Sequence, residues 1–226
     1  MSEARQGRAR LSRAELARER RERRRDRTRE EILEAARQVL IEEGVAATTL
    51  DAVARAAGLS KTGLYYYYPS KDALLFELIF AIFSRESNAV HDAVEATDDG
   101  AAALRALVET VFFGLAGNLD DFRLAFLHGQ VAGPGAVHLN AEQFARIRPL
   151  NDLCLAGAAQ RVAAARGSGA GAAQHVPPRL LAFLAYVSAI GLLTFKGMVE
   201  SLDDPLLYSD AELVEGLARV FERAAV

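Results

Sequence analysis

A lone cysteine, Cys154, excludes an intrachain disulfide and fits a reducing, cytoplasmic setting. No segment alternates apolar and polar residues as a half-buried strand does, which excludes a sheet and leaves an all-α fold of roughly nine helices. The arginine- and glutamate-rich N-terminal stretch has no apolar run of signal-peptide length, so secretion is not expected. No glycine-rich phosphate loop follows a strand, and no Gly-x-Ser-x-Gly elbow is present. His91, His128, His138 and His175 fall on different segments without i,i+4 pairing, so no metal site is expected. Cys154 sits among Leu153, Leu155 and Ala156 and reads as a buried apolar residue, not a nucleophile. The pairs Asp98-Asp99, Asp120-Asp121 and Asp203-Asp204 fall at helix boundaries and read as structural. No catalytic residue and no cofactor is assigned, and an enzyme is not expected. One apolar run, Leu180 to Val199, is long enough to span a bilayer. It contains Ser188, Gly191, Thr194 and Lys196 and lies among amphipathic helices, so it reads as a buried helix of a soluble bundle, with no membrane partner.

What is present is an uneven distribution of charge. The net charge of the 226 residues is −3, which by itself argues against a polyanion partner. Residues 1–71, however, hold 16 basic and 11 acidic side chains, and the remainder 11 basic and 19 acidic. That split suggests one end that binds a polyanion and a second part kept off it. With 51% hydrophobic residues, the chain can build one large domain, or a small domain joined to a larger one.

Residues 1–27 form a basic extension with no apolar stripe between Leu16 and Ile32, expected to be solvated and partly helical. Glu19 and Arg23 are an i,i+4 pair that supports helix, and the other reading of this segment is a solubilising tail. Thr28-Arg29-Glu30-Glu31 reads as a capping box that opens the first core helix, which Gly44 ends. Thr49 caps a short helix closed by Gly58, and Ser60 caps a third that stops before Pro69. Residues 28–74 thus outline a helix-turn-helix domain. Residues 75–226 read as a larger helical domain: helices over 72–95, 101–116, 122–131, 139–165 with a break at Pro149, 178–199 and 210–224.

Val53, Ala54, Ala57, Leu59 and Leu64 are spaced to make a small core between the second and third helices. Lys61, Thr62, Tyr65 and Tyr66 are left on the outer surface. A short helix with a positive N-terminus, a lysine, a hydroxyl and phenols is suited to reading a DNA groove. Gly63 clears a side chain where that helix would approach base edges. The other reading of the tyrosine run Tyr65 to Tyr68 is an aromatic core, but four consecutive residues of one helix cannot all face inward.

The run Ser60-Lys61-Thr62-Gly63-Leu64-Tyr65-Tyr66-Tyr67-Tyr68-Pro69-Ser70-Lys71, with Thr48 to Gly58 upstream, closely resembles the DNA-binding signature of the TetR family of bacterial regulators. The resemblance covers about fifty residues, from Thr28 to Phe76. It implies that Lys61, Thr62, Gly63 and Tyr65 lie at the major-groove floor, with Thr49, Ser60, Tyr66, Tyr67 and Lys71 on phosphates. Two departures stand out. Thr62 precedes Gly63 where the family commonly has glycine and then a small residue, and Tyr68 replaces a frequent phenylalanine.

The resemblance also implies a one-component transcriptional repressor, released from double-stranded palindromic operator DNA by a ligand and dimeric through its last two helices. On the final helix Val214, Leu217 and Phe221 form an apolar stripe at i, i+3 and i+7. All 11 phenylalanines follow residue 71. Phe112, Phe113, Phe122, Phe126, Phe144, Phe183 and Phe195, with the polar His128, Gln130, Asn151 and Tyr186, are the candidate lining of a pocket for a small hydrophobic ligand. The basic residues Arg105, Arg123, Arg146, Arg148 and Lys196 are expected on exposed faces. Two alternatives stay open: an architectural DNA-binding protein without a ligand, and an all-helical enzyme.

Overall fold

The computed structural model describes residues 13–127, 140–166, 175–201 and 208–225. Among them the fold is all-α. The helices are α1 (Arg13–Ala47), α2 (Leu50–Ala56), α3 (Lys61–Tyr67), α4 (Lys71–Glu95), α5 (Gly100–Ala116), α6 (Leu119–Phe122), α7 (Ala141–Arg166), α8 (Pro178–Ser201) and α9 (Asp210–Ala225). A π-helical turn, Arg123–Leu127, follows α6 where an ordinary helix over 122–131 is expected. The chain divides into two compact units, Met1–Leu78 and Ile79–Val226.

In the first unit α1 begins well before the expected cap. Thr28 is internal to it, its Oγ1 donating to the Arg24 carbonyl at 3.0 Å rather than accepting from a following N–H. The extension supplies its own helix support through Arg18–Glu22, Glu19–Arg23 and Arg27–Glu31, all i,i+4 pairs. With good helix formers throughout and no Gly or Pro, nothing in residues 13–27 stops the helix. Its regular geometry breaks at Gly44, whose φ of 77° favours glycine. One apolar cluster joins Ile32, Ala36 and Val39 of α1 to Leu50, Val53 and Ala54 of α2, Leu64 of α3, Tyr68 and Leu74.

The second unit is built around α5. Leu104, Leu107, Val108, Val111 and Phe112 are completely buried, and the helix packs against α7, α8 and α9. Asp99 caps it, accepting from Ala102 N at 2.8 Å. Arg105 ties α5 to α9 by pairing with Glu215 at 2.6 Å and with Glu222. Arg105 is therefore a half-buried clamp rather than a surface residue, and Lys196 is likewise largely buried, 3.3 Å from Asp210. Arg123, Arg146 and Arg148 are exposed as expected. Asp121 is buried and accepts from Asn118 at 2.9 Å and from Arg85 at 2.5 Å. A capping box opens α9: Ser209 N donates to Glu212 Oε2, and Ser209 Oγ accepts from Glu212 N.

Helix α8 departs from the expectation of a buried helix. Leu181, Ala182, Ala185, Ala189, Ile190 and Leu193 face the core. Leu180, Phe183, Leu184, Val187 and Phe195 form a second apolar face that is exposed in the single chain. The segment Pro178–Lys196 is long and apolar enough to cross a membrane. On α9, Val214 and Phe221 are buried within the chain and cannot face a partner, while Val220 is exposed.

Candidate nucleic-acid interface and apolar cavity

Local caps position the first site. Thr49 Oγ1 accepts from Ala52 N at 3.1 Å, and Ser60 Oγ accepts from Gly63 N at 3.1 Å, so each helix begins where its hydroxyl sits. Between α2 and α3, Gly58 turns the chain with a φ of 66°, and Leu59 N closes the turn on Ala54 O at 2.9 Å. Leu64 is then completely buried, which points the remaining α3 side chains outward. A methyl at Gly63 would lie 3.2 Å from Ser60 Oγ, so glycine here also spares the cap.

Lys61, Thr62, Tyr65 and Tyr66 are exposed, as is Thr49, while Lys71 is half-buried. Lys61 Nζ lies 2.9 Å from Asp51 Oδ2 and 5.9 Å from the Tyr65 ring centre. The hydrogen bond to Asp51 raises the Lys61 pKa, so its ammonium stays charged. The tyrosines divide: Tyr66 is 69% exposed, Tyr67 packs partly on the core, and Tyr68 is buried with its phenol pushed up to about 12 by burial. The result is a short outward helix face of one ammonium and three hydroxyl groups.

The second unit holds an apolar cavity of about 620 Å³. Its exposed mouth residues are Asn151, Pro177, Arg179, Leu180 and Phe183. Phe83 and Tyr186 form half-buried walls, and Ser87, Cys154 and Leu155 the buried floor. Arg179 pairs with Asp152. Of the expected ligand residues, Asn151, Phe183 and Tyr186 line this cavity. Phe112, Phe122 and Phe126 are buried in the core instead, with Phe122 and Phe126 stacked at 5.7 Å and Phe126 edge-on to Phe83 at 5.2 Å. Phe113, Phe144 and Phe195 are exposed and do not line it. His128 and Gln130 lie outside the described residues.

Sequence reasoning missed Glu86, in the turn of α4 between Phe83 and Ser87. It is 8% exposed, and among the described residues neither carboxylate oxygen has a hydrogen-bond partner. Burial pushes its pKa from 4.5 up to about 8; the Tyr186 phenol opposes that shift without meeting either oxygen in hydrogen-bond geometry. Burial thus favours the neutral form of this carboxyl, which acts electrostatically on Tyr186 and Cys154 of the cavity lining. Its position was readable: Glu86 stands four residues after Ile82 and four before Val90, on the buried stripe of α4. Cys154 is buried and its thiol pushed up to about 12, which suits an inert residue. Among the described residues no group of His, Cys, Asp and Glu could hold a metal ion.

Residues 32–78 match the sequence model of bacterial regulatory proteins of the tetR family. The HTH-type transcriptional activator FasR of Mycolicibacterium smegmatis is 33% identical over 114 residues, 49% of this chain and 50% of FasR. The chain spans half or less of the length of the curated relatives it matches. A TetR/AcrR-family regulator of Thermobifida fusca superposes with a TM-score of 0.64 at 23% identity, covering 87% of this chain and 97% of that one. The Bacillus subtilis regulator FadR, in complex with stearoyl-CoA, superposes with a TM-score of 0.66 at 16% identity, covering 86% and 97%.

Proposed function

Because the chain belongs to the TetR family of bacterial regulatory proteins, we propose that it is a one-component transcriptional regulator: a homodimer that binds double-stranded palindromic operator DNA through α3 and leaves it when a small apolar ligand fills the cavity. The observation that carries this reading is the α2–α3 pair. Two side-chain caps and the buried Leu64 present Lys61, Thr62, Tyr65 and Tyr66 on one exposed face. On this reading Lys61, Thr62, Gly63 and Tyr65 meet base edges, and Thr49, Ser60, Tyr66, Tyr67 and Lys71 meet phosphates.

One seven-residue recognition helix covers a half-site, so a two-fold dimer is required for specificity. The exposed apolar face of α8, with Val220 of α9, is the surface a second copy would cover, in preference to lipid. The cavity volume lies within the usual range for small-molecule sites. An acyl chain suits its apolar walls, with Asn151 and Arg179 at the mouth for a polar head; FadR, which shares the fold, is in complex with stearoyl-CoA. Ligand binding would act by favouring a conformation with a lower DNA affinity, and release is limited by that difference.

Repression through promoter occlusion is the reading taken. That FasR is named an activator keeps activation as the second. A gel-shift titration with the upstream region of its own gene tests both halves. One discrete, salt-sensitive complex, dissociated by a compound that also raises the thermal midpoint, is expected. Ladders on any duplex would favour an architectural protein, and ligands that stabilise the chain without changing DNA affinity would remove the sensing role.

A further inference from the structure

The helical extension of α1 sorts its charges by side. Glu15, Glu19, Glu22, Asp26 and Glu30 recur at i, i+4, i+7, i+11 and i+15, which at about 100° per residue is a single stripe. Arg21 and Arg25 lie on the other side, flanked by Arg18 and Arg24. That basic side meets α3: a cleft of about 420 Å³ is lined by Arg18, Arg21, Arg24 and Arg25 together with Tyr66 and Tyr67. The Arg25 guanidinium carbon stands 5.8 Å from the centre of the Tyr66 ring, and Tyr66 meets Tyr67 edge-on at 5.2 Å. Among the described residues the lining includes a single carboxylate, Glu22, which Arg18 already holds at 2.9 Å. Among the described residues, Arg21 Nε donates to the Ala17 carbonyl at 3.3 Å and to no carboxylate. Four guanidinium groups, Arg18 paired with Glu22, and two phenols thus converge at the C-terminal end of the helix proposed to enter the groove.

We propose that this cleft is a second DNA contact, independent of the bases read by α3, in which Arg21, Arg24 and Arg25 with the Tyr66 and Tyr67 hydroxyls hold backbone phosphates flanking the half-site. The chemistry fits a duplex backbone: guanidinium groups bind phosphate oxygens with forked, charge-assisted hydrogen bonds, and phenols donate to the same atoms. The acidic stripe makes the contact one-sided, because rolling the helix over would place Glu15, Glu19, Asp26 and Glu30, none of which lines the cleft, against phosphate. The solubilising-tail reading of this segment predicts no such sorting. The cation–π contact sets Arg25 of the arm beside Tyr66 of α3, so both would engage the same stretch of backbone.

The inference rests on the regulator reading, and charge-matched variants of the full chain separate the two. Arg21→Ala/Arg25→Ala removes two cleft cations, whereas Arg20→Ala/Arg23→Ala removes two that do not line it. Alanine keeps helix propensity in all four places, and far-UV circular dichroism checks that the helix survives. Affinity is read by fluorescence anisotropy across a salt series, on a random-sequence duplex and on the upstream region of the chain's own gene. The cleft variant should lower the slope of log K against log salt by about 1.8, at about 0.9 per lost phosphate contact, equally on both duplexes. The off-cleft variant should leave the slope nearly unchanged. Equal losses in both variants, or no loss in either, would overturn the assignment. A wild-type chain that fails to prefer the upstream duplex would count against the regulator reading alone, since phosphate contacts carry no sequence information.

Discussion

Lys61 of α3 and Asp51 of α2 are joined across the turn between their helices, Nζ to Oδ2 at 2.9 Å, on the face proposed to meet DNA. The carboxylate aims the ammonium, but a phosphate or base edge approaching Lys61 must share it with a like charge. Asp51→Ala should therefore tighten binding to all duplexes at low salt, with little change in thermal midpoint because the pair is exposed. Weaker binding in anisotropy would show instead that Asp51 is needed to position Lys61.

Leu184 and Val187 are 41% and 44% exposed in the single chain, so charging them should not disturb its own core. If this face is the proposed dimer seam, Leu184→Glu/Val187→Glu sediments as a folded monomer and the wild type as a dimer at the same concentration. A variant that stays dimeric would place the interface elsewhere. Leu217 is a poorer probe, because it is half-buried between Val214 and Phe221, which pack inside the chain.

Asn151 stands at the cavity mouth and is exposed. Asn151→Trp should block entry and leave the unliganded thermal midpoint unchanged. At a hundredfold excess over Kd, a ligand stabilises the wild type by about 2.7 kcal/mol, and that gain should vanish in the variant. A full ligand-induced shift in Asn151→Trp would mean the compound binds outside this cavity.

The buried Glu86 carboxyl makes stability depend on pH. Its pKa is raised from 4.5 to about 8 in the fold, so the native state binds more protons than the unfolded chain between those values. Stability from this group is intact below pH 4.5 and is lost as pH rises through about 8. Glu86→Gln cannot ionise, so its thermal midpoint should gain on the wild type steadily from pH 5 to pH 8. Parallel melting profiles for the two proteins would show that Glu86 is already ionised, or hydrated, in the native state.

How much of this was legible in the sequence follows from the range of the interactions. Thr49, Ser60, Asp99 and Ser209 cap helices within three residues, so their roles could be read one turn at a time. Thr28 misled for the same reason: a Thr-x-x-Glu pattern marks a helix start only where the preceding residues are not helical, and here the arginine–glutamate pairs carry the helix through it. The second unit was less legible because a phenylalanine on a helix reads the same whether it fills a core, as Phe112 does, or stays exposed, as Phe195 does. Asn151, Phe183 and Tyr186, three of the expected residues, line a cavity, but that cavity, which they share with Ser87, Cys154 and Leu155, depends on how α4, α7 and α8 meet. Spacing along any one helix does not contain that information.

The central claim, that α3 reads a specific DNA site, is tested most directly by fluorescence anisotropy of wild type, Lys61→Ala and Tyr65→Ala on the upstream region of the chain's own gene and on a random-sequence duplex. Both side chains are exposed, so neither substitution should unfold the protein. A base-edge contact carries about 1–3 kcal/mol of discrimination, so each variant should lose about tenfold or more on the upstream duplex and much less on the random one. Unchanged preference for the upstream duplex in both variants would contradict the assignment of α3 to the groove.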